Sequence, residues 1–593
     1  MKKLLSIQLP PPRFSFQEKL ANIPLAAGFI AQAISDDVKR SFDTEILPND
    51  VTDIFADSGL AEHIVQRNPD VLMLTLYLWN AKRSLALASR VKQMLPHVRV
   101  IVGGPEVTFD QEWLLKNSVI DVGVVGEGES RISDILESLY RSNCQNPAPG
   151  TFVRNAEHIL CNRDEPASYN LTNCKDPYTL GLITPESWEK LYVETARGCR
   201  FRCRYCYYHK AFSAVKIHPK AEYEAALSHA YKRDAVTQEI YLMDPTFNAL
   251  PHFREVLSFL VKLRKKKDIA LHAELRADLL TKEDVLLLKN AGLKSAEVGL
   301  QSIHKDVLKI AGRSHDLDKI ERGIHLLKSS GIQVITGVIA GLPGDSPQGF
   351  LETLSWLKEK ETYDVVHPFV LSILPGTDFR FQAKKLNIEF DPEPPYFVRS
   401  TPTFSWSDIE TSLQIFENMF SQCLNVIEIP ALENMNDDNA SSVFKATHLQ
   451  KWVCKLDEKE VFASELPYVI KWATDPFIIV FRSSVLTEGT EEAMSKILKT
   501  FLQENPYCVL DVVIEFPKPP KKSFFLKIVQ ESAMMQHYLN RFFEPLYGKG
   551  RVLTINFTLL LTGTYNQDEK ASIETDYEPF AAVSWKTEKK TRG

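Results

Sequence analysis

Arg197-Gly198-Cys199-Arg200-Phe201-Arg202-Cys203-Arg204-Tyr205-Cys206-Tyr207-Tyr208 is the stretch on which the reading of this 593-residue chain turns. Three cysteines at spacings of four and three share one loop, directly after the apolar run Leu191 to Thr195. Three thiolates so placed hold three irons of a four-iron, four-sulfur cube and leave the fourth iron without a protein ligand. An iron left open is a binding place for a substrate or cofactor. The rival reading is a structural zinc site, which normally takes four ligands; the obvious fourth here is His209, three residues beyond Cys206. Core burial explains the three cysteines less well, because Arg and Tyr crowd the loop. The remaining six, Cys144, Cys161, Cys174, Cys423, Cys454 and Cys508, are scattered, and nine in a chain this long are too few for a disulfide framework.

Downstream of the loop, strand-length apolar runs alternate with helical patterns. The strand candidates are Leu191 to Thr195, Glu239 to Met243, Ala270 to Leu275, Ser295 to Leu300, Gln333 to Ile339 and Val365 to Leu371. Six parallel strands with helices between them make a partial barrel, since eight are needed for closure. Site residues are then expected at the carboxyl ends of these strands. The series breaks at Phe390-Asp391-Pro392-Glu393-Pro394-Pro395-Tyr396. Beyond it lie a helical stretch, Ser407 to Glu428, three strand-like runs (Pro476 to Arg482, Cys508 to Phe516, Val552 to Leu561) and a charged tail after Ser584.

Upstream, residues 1–140 show the same alternation, the mark of a doubly wound parallel sheet. The expected strands are Leu4 to Leu9, Asp43 to Leu47, Val71 to Leu76, Val98 to Val102 and Asp121 to Val125. The expected helices are Ile23 to Ser35, Gly59 to Asn68, Ala81 to Met94 and Ser130 to Tyr140. Turns at the strand carboxyl ends, Tyr77-Leu78-Trp79-Asn80, Gly103-Gly104-Pro105-Glu106 and Gly126-Glu127-Gly128-Glu129, lie where an open parallel sheet binds its ligand, and their glycines admit a bulky group. Tight turns with no ligand are the plain alternative. The fold class is therefore α/β: a Rossmann-like unit over 1–142, a linker over 143–188, a partial (β/α)6 barrel over 189–400 and a C-terminal α+β unit over 401–593.

Composition narrows the function classes. With 44% hydrophobic and 25% charged residues the chain reads as an ordinary globular protein. Its 70 basic and 76 acidic residues give a net charge of −6, which offers no bulk attraction to nucleic acid or to an anionic bilayer. No apolar run approaches the roughly 20 residues of a membrane span. The start, Met1 to Pro10, has too short an apolar run and no small-residue cleavage site for a signal peptide, so it reads as a first core strand and the location as cytoplasmic.

Cys199, Cys203 and Cys206, with the aromatic Tyr205 just before the last, resemble the signature of the radical S-adenosylmethionine superfamily. The resemblance runs from about 189 to 400 through Met243-Asp244-Pro245-Thr246-Phe247-Asn248, His272-Ala273-Glu274-Leu275-Arg276-Ala277-Asp278, Glu297-Val298-Gly299-Leu300-Gln301-Ser302 and Gly337-Val338-Ile339-Ala340-Gly341-Leu342-Pro343-Gly344. It implies a [4Fe-4S] cluster whose open iron chelates S-adenosyl-L-methionine, cleaved by one electron to a deoxyadenosyl radical. The family's Gly-Gly-Glu after the second strand is absent; Asp244 holds that strand end, where a carboxylate could meet the cofactor ammonium. Arg276 and Arg313 are candidates for the cofactor carboxylate, Glu274, Glu297 and Gln301 for its ribose, and Gly341 for the adenine slot. For Arg276, Arg313, Glu274, Glu297 and Gln301 the plain rival is an ion pair inside the barrel.

Residues 1–140 are similar to the cobalamin-binding unit fused to many radical-SAM enzymes, through Gly103, Gly104, Pro105, Glu106, Gly126, Glu127 and Gly128. The Asp-x-His-x-x-Gly motif that supplies a lower histidine is missing. The expectation is a cobalamin with no histidine on its lower face and with Tyr77, Leu78 or Trp79 nearest the cobalt. This layout resembles class B methyltransferases, in a branch whose C-terminal unit is uncharacterised. It implies methyl transfer to an unactivated carbon through methylcobalamin, acting on a small-molecule or peptide substrate with an electron donor such as flavodoxin or ferredoxin. The alternatives are a cobalamin-dependent cyclase or rearrangement catalyst, and a non-catalytic cobalamin-binding module.

Overall fold

The computed structural model describes residues 1–15, 22–141, 147–155, 158–165, 168–183, 190–212, 214–232, 237–424, 449–533, 537–548 and 552–585. Cys144, positions 425–428 of the expected helix and the tail from 586 lie outside the described residues.

The N-terminal sheet contains β1 (Lys2–Ile7), β2 (Phe42–Ile46), β3 (Val71–Thr75), β4 (Arg99–Gly103), β5 (Val122–Val124), β6 (Thr151–Asn155) and β7 (His158–Asn162) in the order β2-β1-β3-β4-β5-β6-β7. The first five are parallel, as the alternation predicts. Apolar side chains cover both faces, Leu5, Leu72 and Val100 on one and Leu4, Val71 and Ile101 on the other, as a helix-covered parallel sheet requires. Part of the expected linker differs. β6 and β7 form an antiparallel hairpin that extends this sheet at β5.

The second sheet is built from β8 (Lys190–Val193), β9 (Ala196–Arg197), β10 (Lys216–Ile217), β11 (Glu239–Leu242), β12 (Ala270–Leu275), β13 (Leu293–Gln301), β14 (Gln333–Ala340) and β15 (Val365–Val370). Six of these are parallel in the order β15-β14-β13-β12-β11-β8, while β9 and β10 pair antiparallel at the base of the cysteine loop. Period-two alternation divides the faces of β12 and β13. Leu271, Ala273, Leu275, Ala296, Val298 and Leu300 pack against the helices. His272, Glu274, Ser295, Glu297, Gly299 and Gln301 fall on the opposite face, toward the barrel interior. That interior is polar, unlike the filled core of a closed barrel.

A small antiparallel sheet of β16 (Glu389–Phe390), β17 (Val398–Thr401) and β18 (Phe404–Ser405) follows. The helix Trp406–Phe420 begins there on a capping box between Ser405 and Asp408. The C-terminal unit departs from the α+β expectation. Its five strands, β19 (Leu449–Lys455), β20 (Ala473–Arg482), β21 (Leu510–Phe516), β22 (Ile555–Leu561) and β23 (Ala582–Trp585), are all parallel and lie in sequence order, with helices between them. Each connection is therefore a crossover, and the unit is α/β.

Backbone hydrogen bonds and buried ion pairs join the three units. Ala56 N–H donates to Ala473 O (2.9 Å) and Asp475 N–H to Ile54 O (2.8 Å), joining the N-terminal and C-terminal units backbone to backbone. Beside that join Arg83 pairs with Asp57 (2.8 Å) and Asp475 (2.7 Å), all three buried. On the barrel side, Arg380 pairs with Asp110 (2.8 Å).

Candidate functional site

The cysteine loop leaves β9 through Gly198, whose φ of +87° suits glycine and whose absent Cβ leaves room for Ala214 O and Phe212. Arg204 N–H then donates to Ala311 O (2.9 Å) and Cys206 N–H to Cys203 O (3.0 Å), which folds the loop back on itself. Cys203 is buried, and Cys199 and Cys206 are half-buried. The Cys206 thiol is pushed up to about 12, first by burial, with a hydrogen bond from the Tyr208 backbone opposing and with Cys203 and Cys199 adding to it. The three sulfurs thus feel one another's charge. Among the described residues no three His, Cys, Asp or Glu side chains converge on a single-ion position. The spacing suits a cluster, in which each thiolate takes its own iron.

Arg313 is the second element of the site. Its Nη1 lies 3.9 Å from Cys203 Sγ and its Nη2 donates to Gly299 O, while Nε is buried without a partner among the described residues. Gln301, in the left-handed region at φ +70°, likewise buries its Oε1 without a partner among the described residues. An orphaned guanidinium N–H and an orphaned amide oxygen call for an absent group bearing both an acceptor and a donor. Tyr205 stands among Cys203, Cys206 and Arg313, its phenol raised chiefly by burial.

Glu274 and Glu297 are direct cross-strand neighbours. Burial, then the charge of Glu297, pushes Glu274 up to about 8, and burial raises Glu297 as well. Tyr241 donates to Glu274 (3.3 Å). Tyr208, two residues past Cys206, joins these groups to the N-terminal sheet. It is 39% exposed, yet its phenol is raised by burial and then by Glu274, Cys206, Tyr77 and Glu194. Tyr208 therefore lies near both the cysteine loop and the turn after β3.

Two expected cofactor contacts are otherwise engaged. Asp244 is fully buried and accepts from Thr195 N (3.2 Å), Thr195 Oγ1 (3.0 Å) and Ala196 N (2.7 Å); it pins the turn from β8 into β9, and burial raises it to about 7. Arg276 grips Asp278 with two bonds (2.8 and 2.6 Å), donates to Ser314 O and lies 4.5 Å over the Phe201 ring. For Arg276 the plain reading, an ion pair, describes the contacts made. A Cβ at Gly341 would stand 2.7 Å from Val398 Cγ1, so this glycine serves the packing of β14 against β17.

On the N-terminal sheet the strand order places the topological switch between β1 and β3, under Tyr77, Leu78 and Trp79. Asn80 fixes that turn, donating to Leu9 O (2.8 Å) and accepting from Tyr77 N (2.9 Å). Tyr77 and Trp79 stack at 4.6 Å, while Leu78 and Trp79 line a narrow apolar crevice with Pro10 and Pro12. Cβ atoms at Gly103 and Gly126 would meet nothing within 4 Å, so open space lies over both turns. Gly104 differs. At φ +103° its Cβ would stand 2.6 Å from Leu76 O, so Gly104→Ala is expected to cost about 1–3 kcal/mol, whereas Gly103→Ala folds normally. Urea midpoints of the two variants check this contrast, and equal midpoints refute it.

The carboxylates of these turns have other employment. Glu106 is buried against Tyr396, whose hydroxyl donates to it, and burial raises it to about 7; Pro105 beside it carries that carboxylate toward the barrel. Glu127 takes Lys216, Arg197 (3.2 Å) and Tyr169 N–H (3.3 Å), and Gly128 packs under Ile30. The arrangement around Arg197 was not foreseen. Its guanidinium binds Glu129 (2.6 Å) from the N-terminal sheet and Glu194 (2.5 Å) from the barrel, with His218 on Glu194 (2.7 Å). Burial works against the Arg197 charge, but the carboxylates hold it well above its ordinary value. Arg197 thus ties the glycine turn of one sheet to the cysteine loop of the other.

Comparison with known proteins agrees with this division. The B12-binding domain family matches residues 22–136 and the radical SAM superfamily matches residues 193–357. A 2-(S-pantetheinyl)-carbapenam-3-carboxylate methyltransferase from Streptantibioticus cattleyicolor is 25% identical over 379 residues, 60% of this chain and 54% of its own. The cobalamin-dependent radical SAM methyltransferase TokK from Streptomyces tokunonensis is 24% identical over 334 residues, 54% of this chain and 48% of its own. The chain spans about half the length of these curated relatives. Among solved structures, the radical S-adenosylmethionine methyltransferase TsrM from Kitasatospora setae aligns with a TM-score of 0.54 over 68% of this chain and 81% of its own, at 15% identity. The cobalamin-dependent S-adenosylmethionine radical enzyme OxsB aligns with a TM-score of 0.55 over 98% of this chain and 84% of its own, at 14% identity. These two likenesses establish the fold, C-terminal unit included in the case of OxsB.

Proposed function

We propose, on the premise that this chain is a cobalamin-binding radical SAM protein, that it transfers a methyl group to an unactivated carbon of a small molecule. The observation that carries the reading is Tyr208, which stands between Cys206 and Glu274 of the barrel and Tyr77 of the sheet switch point. Both proposed cofactor seats therefore lie close to one side chain. When bound, the cluster and S-adenosyl-L-methionine supply a carbon-centred radical and cobalamin carries the methyl group.

The protein's own part is positioning and exclusion. Cys199, Cys203 and Cys206 are the proposed iron ligands. Arg313, with its free Nε, is placed to hold a carboxylate beside Cys203, and Gln301 to bond a neighbouring donor. Glu274, pushed up to about 8, is mostly protonated at neutral pH, a form able to donate a hydrogen bond where an ionised carboxylate would only accept. Gly103 and Gly126 would leave room for the flat cofactor, and Tyr77 and Trp79, in the turn after β3, would stand beside it. The ion pairs of Arg197 tie the glycine turn of the N-terminal sheet to the cysteine loop and would help keep water from a radical intermediate. An external one-electron donor, such as flavodoxin or ferredoxin, completes the proposal.

The relatives named as methyltransferases support methyl transfer over cyclisation. The test follows the label of methyl-labelled S-adenosyl-L-methionine under turnover. Methyl transfer predicts labelled product, with S-adenosylhomocysteine and deoxyadenosine in about equal amounts. Unlabelled product with deoxyadenosine alone replaces this reading with the cyclase.

A further inference from the structure

A cysteine that ligates iron is a thiolate, and its sulfur can then only accept hydrogen bonds. The protein brings a donor to each of the three sulfurs, from separate elements. Arg313 Nη1 lies 3.9 Å from Cys203 Sγ, Cys206 accepts from the Tyr208 backbone, and Thr246 Oγ1 lies 3.6 Å from Cys199 Sγ. The Arg313 group is charged and also donates to Gly299 O, and the Tyr208 group is main chain. Thr246, in the turn after β11, brings a neutral side-chain hydroxyl.

Local structure leaves that hydroxyl to the sulfur. Thr246 stands just before the short helical turn Phe247–Ala249, at φ −157°, and its side chain makes no capping bond there. A threonine at such a position ordinarily turns its oxygen onto the first amides of the turn. Here the Ala249 N–H donates to the Thr246 backbone oxygen instead (2.9 Å). Asp244, two residues earlier, already accepts from Thr195 and Ala196. Thr246 and Cys199 line one cavity of about 590 Å³, whose wall includes the apolar Val215, Leu250 and Pro251. With Cys199 protonated either atom can donate, but with Cys199 on iron only Oγ1 carries a hydrogen, so the direction of the bond is fixed.

We infer that the Thr246 hydroxyl, acting through Cys199, raises the reduction potential of the cluster. The inference rests on the proposed cluster and adds a residue that governs how readily it takes its electron. Reduction brings one electron from the external donor and one more negative charge to the cluster and its sulfurs, and no bond is made or broken. A hydrogen bond to a ligand sulfur is stronger in that more negative state, so it favours reduction.

The experiment uses the full chain with its cluster reconstituted, in the absence of S-adenosyl-L-methionine, titrated reductively against mediators of known potential while the visible absorption and the electron-resonance signal of the reduced cluster are followed. Thr246→Val keeps the branched shape and removes the hydroxyl. Its equilibrium for reduction is expected to fall about tenfold, the size of one ordinary hydrogen bond, a downward shift of about 59 mV for one electron, with iron and sulfide unchanged. Thr246→Ser keeps the hydroxyl and loses the methyl, and is expected to stay within about twofold of the parent equilibrium. The pair separates the hydrogen bond from the access of water through the cavity, because Ser widens the cavity at Cys199 and Val does not. Fully loaded Thr246→Val at the parent potential overturns the inference, as does Thr246→Ser falling as far as Thr246→Val. Loss of iron from Thr246→Val in a parent that loads fully also overturns it, since the hydroxyl then holds the cluster and does not tune it. A parent chain that holds no iron overturns the cluster assignment itself.

Discussion

Chains in which Cys199, Cys203 and Cys206 are all replaced by Ala are expected to emerge from anaerobic reconstitution without iron or sulfide, where the parent holds four irons. The expectation rests on what the loop is built to do. Gly198 turns the chain out of β9, Arg204 anchors the loop on Ala311, and the Cys206 amide closes on Cys203. Those bonds are all backbone or Arg204, so removing three sulfurs leaves the loop its shape and removes only its proposed ligands. Cys174 makes a fitting control. It is buried, accepts from Gln32 (3.2 Å), and its thiol is pushed up to about 12 mainly by burial. A buried thiol of that kind behaves as a small hydrophobe. Cys174→Ala is therefore expected to keep the full iron content. Iron and sulfide analysis with the visible spectrum decides the matter, and a triple variant that retains a cluster refutes the ligand assignment.

The contrast between these cysteines shows what a sequence discloses. Ligand spacing is local, so Cys199, Cys203 and Cys206 announce themselves within eight residues. Strands buried on both faces are continuous apolar runs, and Ala81–Met94 shows its helical period along its whole length. β1, β3 and β4 were legible for that reason, whereas β12 and β13 show the alternation of a strand with one apolar and one polar face. β7 was not legible, because His158-Ile159-Leu160-Cys161-Asn162 is short, half-buried and without a strong pattern. β19 begins Leu449-Gln450-Lys451 and ends on Lys455, and those polar positions concealed the strand that makes the C-terminal unit parallel throughout.

Site chemistry divides along the same line. A candidate residue can be chosen by its place at a strand end, but its availability depends on a partner distant in sequence. Thr195 occupies Asp244 from 49 positions away, and Arg197 reaches Glu129 from 68. Asp278, only two residues beyond Arg276, was close enough to foresee, and it marks the case where the ion-pair reading stood beside the cofactor reading from the start. Glu127 and Glu106 were chosen for their glycine turns. Both carboxylates are instead spent on contacts with the barrel, and the bare glycines Gly103 and Gly126 keep the space above the sheet.

The contact that fixes the third unit is expected to be the most costly to break by a single substitution outside the cluster. Arg83, in the helix Ala81–Met94, is 5% exposed and sits between Asp57 of the N-terminal unit and Asp475 of the C-terminal unit. Burial works against its charge, but Asp475 and Asp57 outweigh that and hold its pKa above the ordinary value. The surroundings are closed as well. Asp57 also accepts from Tyr507 N–H (3.1 Å), and Asp475 from Val509 N–H (3.1 Å). Arg83→Met removes the cation and leaves two buried carboxylates facing each other, a change of the kind that costs about 3–5 kcal/mol. Replacing all three groups, Arg83→Met with Asp57→Asn and Asp475→Asn, removes the uncompensated charge and is expected to recover much of the loss. Urea unfolding followed by tryptophan fluorescence separates the outcomes. A single variant within about 1 kcal/mol of the parent, the range of an exposed pair, would show that Arg83 does not hold the units together. If the triple variant is no better than the single one, the cost lies in lost packing and not in stranded charge.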